Sequence, residues 1–236
     1  MNKILIDNET KETKFVIDKE STITMNYLNT EKNIEITLND NINLKVIDTS
    51  NNTKNKITYN IGENSKVEIN KLSKDCSDKV TVNINKENSN IKFYSSIINY
   101  EDNTYHQDIN HYNRSSKSKI VNHCININDN NFKFIVNGTI KNNAENTIFK
   151  QDNKIININN GNSQILPNLI VDNDEIEASH SAYIGTFDEN IIFYLMTRGI
   201  PKKDCINLLI KSFLLTDMNL EEEQERFNEI IENIKI

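Results

Sequence analysis

Short segments in which apolar and polar residues alternate fill most of the chain. Residues 34–38, 42–47 and 80–84 each place Ile, Leu or Val at every second position, or nearly so. A period of two puts such side chains on one face of a β-strand. The turns between these segments are rich in Asn, Asp, Ser and Lys, and several of these residues tolerate turn conformations. The pattern predicts a series of short strands from residue 1 to about residue 171.

The strand pattern admits more than one β-fold. Many short strands at near-regular spacing occur in sandwiches, in barrels and in solenoids. The chain has only 5 Gly and 2 Pro, and the tight turns of β-hairpins usually require Gly, so sheets built from hairpins are less favoured. No repeat of fixed length is evident, and the alternation by itself leaves both a solenoid and a sandwich open.

The apolar spacing becomes helical near Asp188. Asp188 can cap a first helix that ends at Gly199, since an acidic cap and a terminal Gly suit the two ends of a helix. Pro201 suits the first turn of a second helix, which runs to about residue 215. A third, charged helix is predicted over residues 220–234.

This change of period divides the chain into two predicted parts. Residues 1–186 form a mostly β domain, and residues 187–236 form a small helical domain. Strands that come first and helices that come last give the segregated order of an α+β chain.

Composition and charge narrow the classes of function. The net charge is −7 and no basic stripe with interleaved aromatic residues occurs, which argues against nucleic-acid binding. No apolar run approaches the roughly 20 residues that span a bilayer, and the first residues lack the apolar core of a signal peptide, so we expect a cytoplasmic protein. Cys76, Cys124 and Cys205 lie far apart, which argues against a disulfide framework and a CxxC zinc site.

The stretch from Pro167 to Leu215 carries a set of motifs in a defined order. The motifs are an acidic segment at 172–175, Ser179-His180-Ser181-Ala182 with Gly185, Asp188-Glu189, Phe193-Tyr194-Leu195, Arg198-Gly199-Ile200 and Phe213-Leu214. This stretch of about 50 residues resembles the C-terminal signature of the SufB/SufD family of iron–sulfur cluster assembly proteins, and it looks closer to the SufD branch. Ser181 stands where that family has a glycine, and Ala178 stands where it has a cysteine.

The resemblance implies a fold and a role. The fold is a right-handed parallel β-helix followed by a small C-terminal helical domain. The role is that of a non-enzymatic, short SufD-like scaffold that pairs with a SufB-type subunit and docks the ABC ATPase SufC, which hydrolyses the ATP. A homodimer that serves both scaffold roles with SufC is an alternative. A β-helix carbohydrate-active enzyme is a more distant one, because the chain has no Trp and no evident pair of catalytic acids.

His180 is the first candidate site residue. A neutral imidazole is a competent ligand for iron, and we expect Glu177 on the same face of the strand that leads to it. The resemblance implies that this histidine is presented at the partner interface, where iron or a transient iron–sulfur cluster is handled without a tightly bound cofactor. The competing interpretation is a turn histidine that hydrogen-bonds to backbone.

Cys124 and the two helices supply the remaining candidates. His123 and Cys124 combine imidazole with a soft thiolate, but neighbours on a strand point to opposite faces, and a Cys124 packed in the interior is the favoured interpretation. The resemblance implies that the first two helices dock the ATPase, and we expect their anchors to be Asp188, Tyr194, Arg198 and Phe213.

Overall fold

The structure is a computed structural model that describes residues 2–218, 224–232 and 234. Over these residues the strands are β1 (Asn2–Asp7), β2 (Lys14–Ile17), β3 (Ser21–Asn26), β4 (Leu28–Thr30), β5 (Asn33–Leu38), β6 (Asn43–Asp48), β7 (Asn51–Thr53), β8 (Lys56–Ile61), β9 (Lys66–Lys74), β10 (Lys79–Ile84), β11 (Asn90–Asn99), β12 (Asn103–His111), β13 (Lys117–Ile127), β14 (Asn131–Ile140), β15 (Thr147–Ile158), β16 (Asn162–Val171) and β17 (Ile176–Gly185). The helices are α1 (Glu189–Thr197), α2 (Lys202–Leu215) and α3 (Gln224–Glu232). The start of the predicted third helix lies outside the described residues.

All strand pairs are parallel, and the chain winds between two long sheets. Sheet A has the order β1-β3-β6-β9-β11-β13-β15-β17, and sheet B has the order β2-β5-β8-β10-β12-β14-β16. Successive strands therefore alternate between the sheets, while β4 and β7 form a small two-stranded sheet of their own. This is a parallel β-solenoid with helices near its C-terminal end, as predicted.

The length of one turn grows along the solenoid. Asparagines stacked on neighbouring rungs of sheet B are 23 residues apart for Asn60 and Asn83, 27 apart for Asn83 and Asn110, and 31 apart for Asn137 and Asn168. Extra residues enter longer strands and turns, so the sequence shows no repeat of fixed length. The rungs still stack in register because each strand pairs residue by residue with the next.

Asparagine takes the place of glycine at many turns. Asn41, Asn64, Asn88 and Asn128 adopt positive φ angles of 62°, 51°, 59° and 65°. Asparagine tolerates this left-handed region better than most residues because its short side chain bonds locally. In this chain the side chain can also stack between rungs, since Asn64 Nδ2 donates to Asn41 Oδ1 at 3.2 Å. The scarcity of Gly is thus compatible with many tight turns.

The main core lies between the two sheets. Its members are the inward residues of each strand, chiefly Ile and Val, and the largest are Tyr27, Tyr59 and Tyr105, followed by Phe93, Phe132, Phe134 and Phe149. The period-two alternation of the sequence supplies these positions directly, because only one face of each strand points inward.

A second core joins the helices to sheet A. Outward isoleucines and leucines near the ends of its strands pack against the helices, and Ser96 Oγ donates to the backbone carbonyl of Leu214. The participants are Ile47, Leu72, Ile98, Ile125, Ile127 and Ile156 on the sheet, with Ile210 and Leu214 of α2 and Phe227 and Ile231 of α3. Sheet A is consequently apolar on both faces beneath the helices.

The predicted helix caps are confirmed in the structure. Asp188 is the N-cap of α1, and its Oδ1 accepts from the Asn190 backbone N–H at 2.8 Å. Gly199 follows the end of α1 with a φ of 88°, a left-handed conformation that favours glycine. Pro201 was predicted in the first turn of α2, but it is the N-cap and immediately precedes the first helical residue.

Candidate functional site

The last rung of the solenoid leaves both sheets with an open edge. β16 and β17 are each the terminal strand of a sheet, and each pairs with one neighbour only. Four apolar residues are exposed there, namely Ile170, Val171, Tyr183 and Ile184. Unpaired backbone groups beside exposed apolar side chains are a template for pairing with another chain.

His180 lies within strand β17, so the interpretation that it is a turn histidine was wrong. It pairs in register with Gln151 of β15, and the side chain is exposed. The strand continues to Gly185 because the ladder to β15 continues in register as far as the pair of Ile156 with Gly185. The histidine is thus held by a regular strand at the open end of the solenoid.

Glu177 does not share a face with His180, contrary to expectation. The two residues are three positions apart, and an odd separation along a strand points side chains to opposite faces. Glu177 Oε1 forms an ion pair with Lys150 Nζ at 3.2 Å on the outer face. His180 lies an even number of residues from Ile176 and Ala178, so it shares the strand face on which these two residues pack against the main core.

An interior row of amides ends beside His180. Asn122 Nδ2 donates to Gln107 Oε1 at 2.9 Å and to Asn153 Oδ1 at 2.8 Å, and Asn153 Nδ2 donates to the Ser181 carbonyl at 3.1 Å. Gln151 is only 4% exposed, and neither its Oε1 nor its Nε2 has a hydrogen-bond partner. Buried amides normally find partners, so the rung before the last has an unsatisfied polar side chain next to the histidine.

Sequence reasoning missed Gln151 because nothing in its local pattern sets it apart. Only the register of β15 against β17 identifies it as the neighbour of His180. The long-range pairing of strands is the signal that would have been needed.

Cys124 is placed in the main core and is not brought next to His180. It is fully buried, and burial raises the pKa of its thiol well above the ordinary value. Cys124 pairs in register with Ile155 of β15, and Ile155 pairs with Ile184 of β17, which lies four residues beyond His180. A neutral, enclosed thiol at this position packs as a small apolar side chain.

His123 faces the opposite way from Cys124 and supports helix α2. Its ring stacks on Phe213 with centroids 4.5 Å apart and is 3% exposed. Burial lowers the pKa of His123, and the nearby Lys154 ammonium lowers it further. Within residues 2–218, 224–232 and 234, no three His, Cys, Asp or Glu side chains cluster so as to hold a metal ion.

Helix α1 presents an apolar surface outward. None of its residues is buried, and Phe193 and Tyr194 are 68% and 55% exposed. The Arg198 guanidinium lies 5.2 Å from the Tyr194 ring and also donates to its hydroxyl at 3.3 Å. Phe213, by contrast, is half-buried against His123 and Phe187. Among the expected anchors, Tyr194 and Arg198 therefore lie on the exposed surface, and Phe213 lies beneath it.

The comparisons with known proteins decide the family. A family model described as the SufBD core domain of SUF system FeS cluster assembly matches residues 1–213. The chain belongs to the SufBD family. This confirms the resemblance seen in the C-terminal motifs and extends it through the whole solenoid.

Individual SufBD relatives match shorter segments. The iron–sulfur cluster assembly protein SufD of Bacillus subtilis is 28% identical over 110 residues, which cover 46% of this chain and 25% of that protein. A SufBD family protein of Mycobacterium leprae is 29% identical over 89 residues, or 36% of this chain and 23% of that protein. A SufBD family protein of Pyrococcus horikoshii is 40% identical over 58 residues, or 23% of this chain and 13% of that protein.

These matches span at most a quarter of each of these SufBD relatives. In the part of the chain that the structure describes, no helix is long and apolar enough to cross a bilayer.

Proposed function

We propose that this chain is a SufD-like, non-catalytic scaffold subunit of a cytoplasmic iron–sulfur cluster assembly complex. The observation that carries the proposal is the last rung, where an open strand edge, exposed apolar side chains and His180 occur together. A subunit that pairs through a strand needs such an edge, because an open edge leaves backbone N–H and C=O groups available to bond to another chain.

The open edge of β17 pairs with a SufB-type subunit. An added strand would satisfy the free backbone groups and cover Tyr183 and Ile184, which are half exposed in the single chain. A second copy of this chain is the alternative occupant, because ten-residue strands β17 of two copies can pair about a two-fold axis. The similarity to a named SufD favours the pair of unlike subunits.

Helix α1 docks a SufC-like ABC ATPase, which supplies the ATP hydrolysis. Support comes from the exposed row of Ile191, Phe193, Tyr194 and Met196, with Asp188 and Arg198 at its two ends. A row of apolar residues flanked by one acidic and one basic side chain suits a groove on a partner protein. Helix α2 anchors this surface to sheet A through the second core.

His180 binds iron or a nascent iron–sulfur cluster, the substrate of the assembly complex, at the interface. A neutral imidazole is a borderline ligand suited to iron, and its place at the strand edge lets ligands from a partner complete the site. Glu177 is committed to Lys150 on the outer face, and Cys124 is enclosed in the core, so His180 is the residue of this chain that we assign to the cargo.

Co-purification with a SufB-type subunit and a SufC-type ATPase tests both surfaces separately. Tyr183→Lys places a charge on the β17 edge and should abolish capture of the SufB-type subunit, whereas Tyr112→Lys, also an exposed tyrosine, should not. Phe193→Lys should abolish capture of the ATPase, whereas Val16→Lys at the same 68% exposure should not.

Two results would contradict these assignments. Retention of the SufB-type subunit by the Tyr183→Lys variant would remove β17 from the interface. Self-association of the wild-type chain that Tyr183→Lys disrupts, without capture of a SufB-type subunit, would favour the homodimer. The melting temperature of each variant, measured beside its control, separates lost binding from lost folding.

A further inference from the structure

A strip of lysines crosses the outer face of sheet A beside the helices. These lysines lie on successive strands β6, β9, β11, β13 and β15, in two neighbouring rows set by the strand register. All but the first are exposed, and the first is half-buried. This lysine strip consists of Lys45, Lys66, Lys92, Lys117, Lys119 and Lys150, and one glutamate, Glu68 of β9, lies in register between Lys45 and Lys92.

Most of the positive charge on the lysine strip is left without an acidic partner. Lys119 pairs with Asp217 and Lys150 pairs with Glu177, each at 3.2 Å. The other four lysines have no carboxylate oxygen within 4.0 Å among the residues for which the structure is described. A chain with a net charge of −7 thus places these four lysines on one surface.

Over the described residues, the outer face of sheet B has two cross-rung ion pairs, whereas among the lysines of the strip only Lys150 has one, with Glu177. Lys14 pairs with Glu35 of the next rung at 3.1 Å, and Lys79 pairs with Asp108 of the next rung at 3.2 Å. Cross-rung pairs of opposite charge stabilise a sheet, whereas like charges on adjacent strands repel. The stacking of Lys92, Lys119 and Lys150 on three consecutive strands therefore costs stability in the isolated chain.

The surface suits carboxylates better than nucleic acid. Sheets that bind single strands combine cations with exposed aromatic rings on which bases stack. Tyr94 lies beside the lysine strip, with Lys119 Nζ 5.5 Å from its ring centroid, but it is only 6% exposed. The first part of the strip lines an open groove that contains Lys45, Lys66 and Lys92, together with Glu20 and Glu68.

We propose that the lysine strip binds an acidic α-helix of a partner protein, aligned with the axis of the solenoid. Neighbouring strands are about 4.8 Å apart, and neighbouring turns of a helix are about 5.4 Å apart. One carboxylate per helical turn can thus face one strand, and over the four steps from β6 to β15 the two spacings diverge by only about 2.4 Å. Flexible lysine side chains absorb that difference. The pairing of β17 is not needed for this contact.

Fluorescence anisotropy with a labelled peptide tests the proposal. The probe is a helical alanine-based peptide of ~18 residues with one Glu on each successive turn, titrated with the full chain at low ionic strength. The wild-type chain should bind it, and the variant K66E/K92E/K117E should bind it at least ~10-fold more weakly. The single substitution Lys92→Gln should weaken binding in the same direction and keeps the test valid if the triple variant does not fold.

The matched control has the same net charge as the triple variant. K54E/K56E/K133E changes three lysines that lie away from the strip and should alter the affinity less than ~2-fold. An equal loss in this control would reduce the effect to overall charge and overturn the proposal. Equal binding of a composition-matched peptide whose helix is broken by two prolines would show that the partner segment need not be helical. Tighter binding of a single-stranded oligonucleotide of equal charge would overturn the assignment of a protein partner. No binding of any probe would overturn the strip as a binding surface.

Discussion

The middle rungs and the last rung of this solenoid are made from the same parallel strands but are used differently. In the middle, strands β6 and β8 to β14 pair on both sides, and even charged groups are enclosed there. At the last rung, β16 and β17 pair on one side only, with apolar side chains and His180 exposed. Stability therefore resides where every strand has two neighbours, and the proposed function resides where one neighbour is missing.

The enclosed charges of the middle rungs form a compact cluster. Lys71 Nζ lies 2.7 Å from Asp48 Oδ2 and 3.0 Å from Asp78 Oδ2, and all three side chains are at most 3% exposed. Asp48 also accepts from the Ser50 backbone N–H at 2.9 Å, and Asp78 accepts from that of Asn55 at 2.7 Å. Both carboxylates hold the lysine charged, which raises its pKa despite burial.

Replacement of Lys71 should give the largest change in the free energy of unfolding. Lys71→Met leaves two buried carboxylates without their cation, which should lower the free energy of unfolding by about 3–5 kcal/mol. Denaturant unfolding of the variant measures this. Lys92→Met on the exposed lysine strip is the control and should change the free energy by no more than about 0.5 kcal/mol. Similar effects of the two substitutions would show that the middle rungs are not specially dependent on their enclosed charges.

Acid should weaken the middle rungs through His111. This side chain is fully buried, its Nε2 lies 2.9 Å from Ser118 Oγ, and burial lowers its pKa to about 4 from an ordinary 6.5. The neutral form is favoured in the folded state, so its stabilising contribution is complete above pH 6.5 and is lost as the pH falls towards about 4. The lowering of the His111 pKa from 6.5 to about 4 corresponds to about 3 kcal/mol in the free energy of unfolding.

The pH dependence is isolated by comparison with a variant. The difference in free energy of unfolding between the wild-type chain and His111→Gln should shrink as the pH falls from about 7 to about 4, because glutamine does not titrate. A constant difference over that range would show that His111 is not the group that responds.

Close packing next to the last rung should give a smaller effect. A Cβ at Gly138 of β14 would lie 2.5 Å from Phe149 Cζ and 3.1 Å from Leu169 Cδ1. Gly138→Ala should therefore cost about 1–3 kcal/mol through overpacking. Thermal and denaturant unfolding measure the cost. Partial rescue by the double variant G138A/F149L, which removes the aromatic ring from the contact, would confirm the cause, and an unchanged stability of G138A would contradict it.

His180 should show the smallest effect on stability. It is exposed on the last rung, so His180→Ala should change the free energy of unfolding by less than about 1 kcal/mol. In the complex assembled without oxygen with a SufB-type subunit, the same variant should contain less iron, because an imidazole ligand is lost. A large drop in melting temperature with normal iron per folded complex would assign His180 a structural role instead.

The sequence allowed prediction of features that depend on near neighbours. The alternation of Ile34, Ile36 and Leu38 predicted an inward face, and Asp188 predicted a helix cap, because each depends on residues within one strand or one turn. The Asp48–Lys71 pair joins residues 23 positions apart on adjacent rungs, and the sequence contains no signal of that register.

The candidate site was predicted only in part. His180 was found through its resemblance to a family motif, but the motif did not show that it lies in a strand rather than a turn. Glu177 was placed on the wrong face, although counting three residues along a strand would have corrected it. Gln151 could not be found, because the rung that brings it to His180 depends on the pairing of β15 with β17.

Hydrogen exchange on the complex tests the role of the last rung most directly. Backbone amides of β17 are followed in the single chain and after addition of a SufB-type subunit, with the amides of β11 and β13 as internal references. We expect β17 amides to gain protection of at least ~10-fold, since their free edge becomes paired, while the protection of β11 and β13 does not change. Unchanged exchange in β17, together with new protection in β1 or β2 at the opposite end, would contradict it.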